Sequence, residues 1–452
     1  MEKKNIPNLT AQIKDNLIQQ VLKQRQRQAE QEDGRYGGIE SRSTVSPDIP
    51  EQYYHFHLHP GYQQLRIIKE GAVRLGIDNP FFKLHDGTAG SRTIIGGKEF
   101  NNFTSYNYLG LSGHPEVSEA AKSAIDLYGT SVSASRLVSG ERPIHRKLED
   151  AIARAYAVED AVVFVSGHAA NVSTIGYLFG HNDLILHDEL IHNSVLQGIK
   201  LSGARRIPFP HNDYKYLHEK LKDQRRDFER VLIVLEGIYS MEGDFPDLPR
   251  FVEIKNMHRA FLMVDEAHSF GVMGNTGMGI REHFGLDGSA VDIWMGTLSK
   301  TLAGCGGYIA GETALVEHLR FLAPGFLYSV GMSPPVAAAS LAAMEILKRE
   351  PGRVKTLQSR SLLFLELARS IGINTGTCAG FAVIPVIIGN SMKAACFSAA
   401  LFRRNINVQP IIFPAVPEKS ARLRFFISCE HGESQIEETI KAIKEEAKLL
   451  PL

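Results

Sequence analysis

The apolar run FLMVDEAH, residues 261–268, ends in an aspartate and a histidine, and GTLSK, residues 296–300, places a lysine after a Gly-Thr turn. Together the two stretches predict a site for an aldehyde cofactor. Lys300 would form a Schiff base, Asp265 would hold a protonated pyridine nitrogen, and His268 would reach the phenolic oxygen of the ring. Pyridoxal phosphate (PLP) is the cofactor that needs all of these groups, because its ring withdraws electrons only while the pyridinium stays protonated.

Each stretch has an ordinary explanation when it is taken alone. A lysine after Gly-Thr is usually a solvated residue at the start of a helix. An aspartate often ends a strand because its carboxylate can cap the helix that follows. The pair becomes specific because the rest of the chain supplies further matching motifs.

Size, charge and cysteine content fit an enzyme for small molecules. The chain has 452 residues, 44% of them apolar, which predicts more than one domain. Lys plus Arg and Asp plus Glu both number 50, so no basic excess points to nucleic acid. The cysteines lack metal-like spacing, so we expect reduced thiols in a cytoplasmic protein: Cys305, Cys378, Cys396 and Cys429.

No stretch is expected to cross a membrane. The start, MEKKNIPNLT, lacks the apolar core of a signal peptide. Residues 379–402 are the most apolar later region, but Pro385, Gly389 and Lys393 interrupt them. They therefore predict a strand followed by a helix, and we expect a protein that is not integral to a membrane.

Composition divides the chain into four parts. We expect an N-terminal helix and linker over 1–50, a segment packing with the small domain over 51–109, a large PLP-binding domain over 110–330, and a small C-terminal domain over 331–452. The first part has apolar residues at helical spacing, which predicts an amphipathic helix that caps a dimer or binds a partner: Ile13, Leu17, Ile18, Val21 and Leu22.

HFHLHP, residues 55–60, places three histidines at alternate positions. On a strand they would share one face, as metal ligands do. No acidic or cysteine partner is near them in the sequence, so we predict no metal site.

Seven short apolar runs, most of them separated by helical segments, predict an α/β fold with a mostly parallel seven-stranded sheet. Sites in such sheets lie at the carboxyl ends of the strands, where Asp265 and Thr297 fall. A strand, a helix, a strand and a final helix after residue 378 predict the smaller α/β domain. The runs are AVVFVSG (161–167), DLILHDE (183–189), ARRIPFP (204–210), VLIVLEG (231–237), FLMVDEA (261–267), DIWMGT (292–297) and GGYIAG (306–311).

Six motifs in order resemble the α-oxoamine synthases, which are fold-type I PLP enzymes. The likeness runs from about residue 60 to the C-terminus and is specific for the family rather than for one member. Its motifs are NYLGL (107–111), SGHAAN (166–171), EGIYSMEGD (236–244), VDEAH (264–268), GTLSK (296–300) and ARLRFF (421–426).

Some details resemble particular branches of the family. SYNYLGL and WMGTLSKTLAGCGGYIAG look closest to serine palmitoyltransferases, whereas residues 129–145 and 405–410 are similar to synthases of polyketide and carrier-protein pathways. Tyr106 stands where many relatives have Asn, which favours the serine-palmitoyltransferase-like branch.

The resemblance implies a role for each matching residue around the cofactor ring. Lys300 is the Schiff-base lysine, Asp265 the partner of the pyridine nitrogen, and His268 the ligand of the ring oxygen. His192, in LIHNS, would stack on one face of the ring, and Ala267 would pack on the other.

The phosphate and its surroundings are assigned in the same way. Gly167 and His168 would bind the phosphate through backbone N–H groups at a helix start, and Thr297 would add its hydroxyl. Ser240 is expected to support the cofactor, beside a structural glutamate, Glu236. Ser329, in YSVGMSPP, is expected to reach the partner's phosphate across a homodimer, although Gly331 replaces the Ser of several relatives.

Two residues are expected to bind substrate. Arg424 would hold a carboxylate through parallel hydrogen bonds, with Arg422, two residues earlier on the same strand face, as the alternative. Asn107 would contact the substrate.

The implied reaction is a decarboxylative condensation. A small amino acid (Ser, Gly or Ala) would react with an acyl thioester, either acyl-CoA or acyl-carrier protein, to give an α-aminoketone, CO2 and free thiol. Lys300 would remove the Cα proton while Arg424 holds the carboxylate. A serine-palmitoyltransferase-like activity is favoured. The alternatives are 8-amino-7-oxononanoate synthase, 2-amino-3-ketobutyrate CoA ligase and aminotransferase activities, and a non-catalytic PLP-fold subunit, which the intact site motifs disfavour.

Overall fold

The computed structural model describes residues 49–74 and 79–449. The chain divides into two compact units, Met1–Gly71 and Ala72–Leu452. The amphipathic helix expected around residues 13–22 lies outside the described residues. The domain boundaries expected at residues 50, 109 and 330 stay predictions.

The described part of the first unit is helical. Two 3-10 turns, Glu51–Tyr53 and Phe56–Leu58, precede helix α1, Pro60–Arg74, which continues into the second unit. The alternate histidines of HFHLHP therefore lie in and beside a 3-10 turn and not on a strand. The shared strand face that would suit a metal is absent from this segment because Pro60 begins a helix immediately afterwards.

The second unit is built on a seven-stranded sheet in the order β3-β9-β8-β7-β6-β4-β5. All neighbours are parallel except β9, which is antiparallel to both β3 and β8. The seven predicted strands and the mostly parallel sheet are thus confirmed. Their bounds are β3 Asp160–Phe164, β4 Leu184–Asp188, β5 Arg205–Phe209, β6 Val231–Glu236, β7 Phe261–Asp265, β8 Ile293–Thr297 and β9 Gly307–Gly311.

Most strands of the large sheet read as unbroken apolar runs because both faces of the sheet are covered. Val163, Ile233 and Val264 join one apolar cluster, whereas Val162 and Val234 join another. The helices of the second unit that the structure describes are α2 Pro115–Tyr128, α3 Pro143–Tyr156, α4 Gly167–Leu178, α5 Asn193–Ser202, α6 Tyr214–Gln224, α7 Leu248–His258, α8 Gly279–Phe284, α9 Thr313–Leu322, α10 Pro324–Leu327, α11 Pro334–Arg349, α12 Gly352–Ser370, α13 Ser391–Arg403 and α14 Glu433–Leu449.

The second unit also contains two small three-stranded sheets. The first joins β10 Val383–Ile387, β13 Arg422–Phe426 and β12 Gln409–Ile411, with β13 in the centre. The second joins β1 Arg92–Ile95, β2 Lys98–Asn102 and β11 Ile406–Asn407, and β11 runs parallel to β2. The second sheet ties residues near 100 to residues near 406.

Within 49–74 and 79–449, no helix combines the length and the apolar character that crossing a bilayer requires.

The feature that matters for function is the carboxyl edge of the large sheet. There Glu236 and Asp265, the last residues of β6 and β7, lie side by side, and Asp265 pairs with Met295, two residues before the end of β8.

Candidate cofactor site

Lys300 follows β8 at this edge of the sheet. Burial lowers the pKa of its ε-amine from 10.5 to about 8, and Arg424 acts in the same direction, while Asp265 and Glu236 oppose them. Its Nζ lies 5.9 Å from the ring centroid of Tyr106. A lysine with a pKa near 8 exists partly as the neutral amine at neutral pH, which makes it a competent nucleophile and base.

Asp265 is only 4% exposed and is held from two sides. The Ala267 N–H donates to Oδ1 at 3.0 Å, and Asn171 Nδ2 donates to Oδ2 at 2.9 Å. Asn171 Nδ2 also donates to Ser194 Oγ at 2.9 Å, and that oxygen lies 2.7 Å from His192 Nδ1. A chain of hydrogen bonds therefore links Asp265 to His192, which is exposed.

His268 is buried, and its Nδ1 lies 2.7 Å from the Tyr108 hydroxyl. Burial lowers the pKa of His268 well below its ordinary value, helped by Lys300 and Arg424, and burial raises the pKa of Tyr108. Both groups are therefore neutral at neutral pH. We assign the hydroxyl proton of Tyr108 to the hydrogen bond with Nδ1, which leaves Nε2–H of His268 as the donor for an oxygen of a bound ring.

The start of α4 forms a cradle with unpaired backbone N–H groups, as helix starts do. Ser166 caps it, because its Oγ accepts a hydrogen bond from the Ala169 N–H at 3.0 Å. A Cβ at Gly167 would lie 3.3 Å from Thr297 Oγ1, and a Cβ at Gly307 would lie 2.5 Å from the Gly167 Cα. Strand β9 thus packs directly under the helix start, and the hydroxyl of Thr297 lies beside it.

A loop of residues 237–244, called the arginine loop below, connects β6 to the rest of the site. Its Ser240 N–H donates to Glu236 Oε2 at 3.2 Å. Its Ser240 carbonyl accepts a hydrogen bond from Arg424 Nη1 at 2.9 Å, and Met241 Sδ lies 3.4 Å from the same nitrogen. The guanidinium also stacks on the ring of Phe426, with 4.6 Å between Cζ and the ring centroid.

The two candidate arginines of β13 differ in how many donors are already used. Arg422 donates to Glu242 Oε1 at 2.7 Å, to the Met241 carbonyl at 2.7 Å and to the Ser420 carbonyl at 2.8 Å. Arg424 Nε, in contrast, is buried and has no hydrogen-bond partner among the described residues. The geometry therefore favours Arg424 as the residue with donors left for a substrate carboxylate.

Glu236 adds a second group that titrates near neutral pH. Burial raises its pKa to about 8, and the charge of Asp265 acts in the same direction. Its Oε1 has no hydrogen-bond partner in the described part of the chain.

The donor set as a whole fits PLP, because it offers an amine, an acid partner, a neutral ring donor and a helix start for a phosphate.

The structure places the side chains of three further predicted residues as follows. Asn107 is 6% exposed, and its amide holds the local turn, donating to the Ala89 carbonyl at 2.8 Å and accepting from the Leu111 N–H at 2.8 Å. This geometry gives Asn107 a structural role. The side chain of His168 is exposed, so only its backbone lies in the cradle. Ser329 lies in a surface segment next to the exposed side chain of Val330.

Two residues of the site were not predicted from the sequence. Tyr108 lies within the quoted motif NYLGL, but its partner His268 is 160 positions away. Asn171 ends the motif SGHAAN, and only the fold brings its amide to Asp265. Motif membership was the available signal for both, and no pattern in the sequence shows the contacts.

Comparison with known proteins agrees with this geometry. The family model described as aminotransferase class I and II matches residues 98–443. The chain is 36% identical over 388 residues to 8-amino-7-oxononanoate synthase of Thermoanaerobacter pseudethanolicus, covering 85% of this chain and 98% of the relative. It is 38% identical over 382 residues to the Symbiobacterium thermophilum enzyme of the same name, covering 84% and 97%.

Solved structures extend the likeness. The serine palmitoyltransferase of Sphingomonas wittichii superposes with a TM-score of 0.83 at 28% identity, covering 87% of this chain and 99% of that one. A variant of the S. paucimobilis enzyme, solved with bound PLP–myriocin, superposes with a TM-score of 0.83 at 27% identity, covering 86% and 98%. The 8-amino-7-oxononanoate synthase of Francisella tularensis gives 0.67 at 25% identity, covering 78% and 99%.

The expectation of a serine-palmitoyltransferase-like activity is only partly supported, because the sequence relatives bear the name of its alternative, 8-amino-7-oxononanoate synthase. The predicted fold, cofactor and family are confirmed. The chain belongs to the aminotransferase class I and II family and, within it, is a PLP-dependent acyltransferase of the α-oxoamine synthase type.

Proposed function

We propose that this acyltransferase condenses alanine with an acyl thioester that carries a second carboxylate, as an 8-amino-7-oxononanoate synthase does, releasing CO2 and free thiol. The observation that carries the reaction class is the position of Lys300. Its amine, with a pKa of about 8, stands at the same sheet edge as Asp265, which a hydrogen-bond chain links to His192.

Bound PLP supplies an electron sink for a carbanion at the amino-acid Cα. Asp265, fixed by Asn171, would keep the ring nitrogen protonated. Nε2–H of His268 would donate to the ring oxygen. His192 and Ala267 would pack on opposite faces of the ring.

The phosphate would lie at the start of α4. The backbone N–H groups of Gly167 and His168 would bind it, because a helix start favours an anion. Thr297 would add its hydroxyl, and Ser240 would support the cofactor from the arginine loop. Ser329 is proposed to reach the phosphate of a neighbouring subunit.

The chain's own residues also bind the substrate and move its proton. Arg424 would hold the amino-acid carboxylate with the donors that Ser240 leaves free. Lys300 would take the proton from Cα, which it can do because its amine is partly neutral at neutral pH. By holding the carboxylate, Arg424 would also orient the substrate for proton removal by Lys300, so binding and orientation would depend on the same arginine.

The substrates follow from the name of the relatives. In a decarboxylative condensation the amino carbon comes from the amino acid and the oxo carbon from the acyl group. A nonanoate with an amino group at C8 and an oxo group at C7 is therefore built from alanine and a seven-carbon acyl group with a terminal carboxylate. Identities of 36–38% with two such synthases support this pair for the present chain.

A second pair, serine with a long acyl thioester, is favoured by a different observation. The serine palmitoyltransferase of S. wittichii superposes with a TM-score of 0.83, against 0.67 for the F. tularensis synthase. Tyr106 near Lys300 also departs from the Asn of many relatives.

The test is product analysis with purified holoenzyme. Alanine, serine and glycine are each offered with acyl-CoAs of graded length, with and without a terminal carboxylate, and with the same acyl groups on a carrier protein. Free thiol and CO2 should appear in equal amounts, fastest with alanine and the seven-carbon dicarboxylic chain. Fastest turnover of serine with a long chain would select the second pair. Conversion of amino acid plus ketoacid without thiol or CO2 would refute the condensation.

Arg424→Ala checks the carboxylate assignment in the same assay. We expect a higher KM for the amino acid and a lower kcat, because both binding and orientation are lost. Arg422→Lys is the matched control, since a lysine can keep the ion pair with Glu242.

We also propose a twofold homodimer. The cytoplasmic location and the acyl-carrier partner stay predictions.

A further inference from the structure

His211, two residues after the end of β5, has both ring nitrogens bonded to carboxylates. Its Nδ1 lies 3.0 Å from Asp188 Oδ1, and its Nε2 lies 3.0 Å from Asp244 Oδ2. A neutral imidazole has one N–H, so two carboxylate acceptors require the doubly protonated ring. The two aspartates accordingly raise the pKa of His211 to about 10, although burial alone would lower it.

Asp244 is the last residue of the arginine loop. The loop closes on itself, because the Tyr239 N–H donates to the Asp244 carbonyl at 2.9 Å and the Gly243 N–H donates to the Tyr239 carbonyl at 2.9 Å. The Tyr239 ring also contacts the His211 ring edge to face, with 4.5 Å between centroids. The position of Asp244 therefore sets the position of the whole loop.

The same loop is anchored on the other side by the segment that leads into β10. Thr377 Oγ1 donates to Asp244 Oδ2 at 2.5 Å, and the Ala379 N–H donates to the Gly243 carbonyl at 3.0 Å. Gly243 has a φ of +70°, and a Cβ there would lie 2.2 Å from the Val383 carbonyl oxygen. The loop is thus pressed between the end of the large sheet and β10.

We infer that His211 is a positioning residue for Arg424. Its charged ring holds Asp244, Asp244 holds the arginine loop, and the loop presents the Ser240 carbonyl that fixes Arg424 Nη1. Without the ring charge, Asp188 and Asp244 would face each other as like charges, and the loop would move away from the guanidinium. The inference rests on the proposed function, in which Arg424 binds the substrate carboxylate.

The first experiment compares His211→Gln with wild type as PLP-loaded enzyme. The dissociation constant of alanine is measured from the change in cofactor absorbance. We expect it to rise roughly tenfold, with unchanged PLP content and an unchanged KM for the acyl thioester. His218→Gln is the matched control, because His218 bonds only to His258 among the contacts seen and lies outside the site. If His211→Gln does not fold, Asp244→Asn is used, with the same expectation.

The second experiment is a double-mutant cycle with Arg424→Lys. If His211 acts through Arg424, the double variant should bind alanine about as weakly as Arg424→Lys alone. A lower melting temperature with unchanged alanine affinity, or additive losses in the cycle, would overturn the inference. Unchanged affinity in Arg424→Lys itself would instead refute the proposed role of Arg424. The two failures are therefore distinguishable.

Discussion

At the scale of single residues, the site combines one amine and one carboxyl group that both titrate near pH 8. Burial shifts them in opposite directions: it lowers the pKa of Lys300 and raises that of Glu236. Asp265 lies between their strands and acts on both groups. The protonation of the site is therefore set by its depth at the sheet edge, which the motif GTLSK alone does not reveal.

The lowered pKa of Lys300 predicts how the apoenzyme captures PLP. The neutral amine is the nucleophile, so the capture rate should rise with pH up to about 8 and then level off. The capture rate is measured by stopped-flow absorbance from about pH 6 to about pH 10, a range that brackets this pKa. Borohydride reduction and peptide mapping should place the pyridoxyl group on Lys300. A rate that keeps rising tenfold per pH unit toward the upper end would indicate an ordinary lysine and contradict the assignment.

Asp265→Asn should keep the fold but lose most of the activity. An amide cannot hold a pyridinium charge, and electrostatic effects of this kind are worth about two to three decades in kcat. The fold should survive because the Asn171 amide can turn its unpaired Oδ1 toward the new side chain. Circular dichroism and kcat measured on the same PLP-loaded preparation check both halves. Near-normal turnover would rule out the proposed role.

At the scale of elements, the strands are predictable and their order is not. Six of the seven apolar runs contain their whole strand, and the first misses only Asp160 of β3, because strands buried on both faces are mostly apolar. The order β3-β9-β8-β7-β6-β4-β5 depends on crossovers that leave no periodic signal. Within the predicted small domain, no helix was predicted for residues 331–378, yet they contain α11 and α12. In HFHLHP the histidines alternate as they would on a strand, yet they lie in and beside a 3-10 turn.

The site, like the sheet, has parts that the sequence predicts and parts that only the fold determines. Motifs that match the family locate Lys300, Asp265, His268 and His192 near one another. Contacts such as Tyr108 with His268 join residues far apart in sequence and depend on the assembled fold. Asn107 is the instructive case, because a polar residue in a motif proves to hold a turn.

The start of α4 allows a test at the level of one element. Ser166→Ala removes the cap on the Ala169 N–H and should lower the free energy of unfolding by about 1 kcal/mol. It should also weaken PLP binding, because the N–H groups of the cradle lose their fixed direction. Denaturant unfolding of the apoenzyme and a fluorescence titration with PLP measure the two effects. Ser370→Ala, at an exposed helix end, is the control. Equal losses of stability and of PLP affinity in both variants would contradict a role for the Ser166 cap.

At the scale of the whole molecule, two neighbouring surface segments expose apolar side chains. Val138 is 80% exposed and Val330 is 50% exposed, and a hydrogen bond from the Gly331 N–H to the Ala134 carbonyl joins their segments. Exposed apolar side chains that lie together mark a protein interface. Because Ser329 lies in this surface, it is the face that we expect to meet the second subunit.

The proposed dimer can be tested by placing one charged side chain in this surface. Val138→Asp should yield a monomer in analytical ultracentrifugation, with lower activity and weaker PLP binding, because the partner's Ser329 is lost from the phosphate site. Val117→Ala, a substitution of a buried valine in α2, controls for a general loss of stability. A fully active monomer, whether wild type or variant, would contradict the proposed dimer.

The position of β13 near the end of the chain has a consequence for the order in which the site is made. Lys300, Asp265 and the two ring histidines all precede residue 311, where the large sheet ends, whereas Arg424 lies on a strand that follows β11. At ordinary rates of synthesis, on the order of ten seconds separate the emergence of Lys300 from that of Arg424. A growing chain can therefore acquire its means of holding PLP before it has any means of choosing an amino acid.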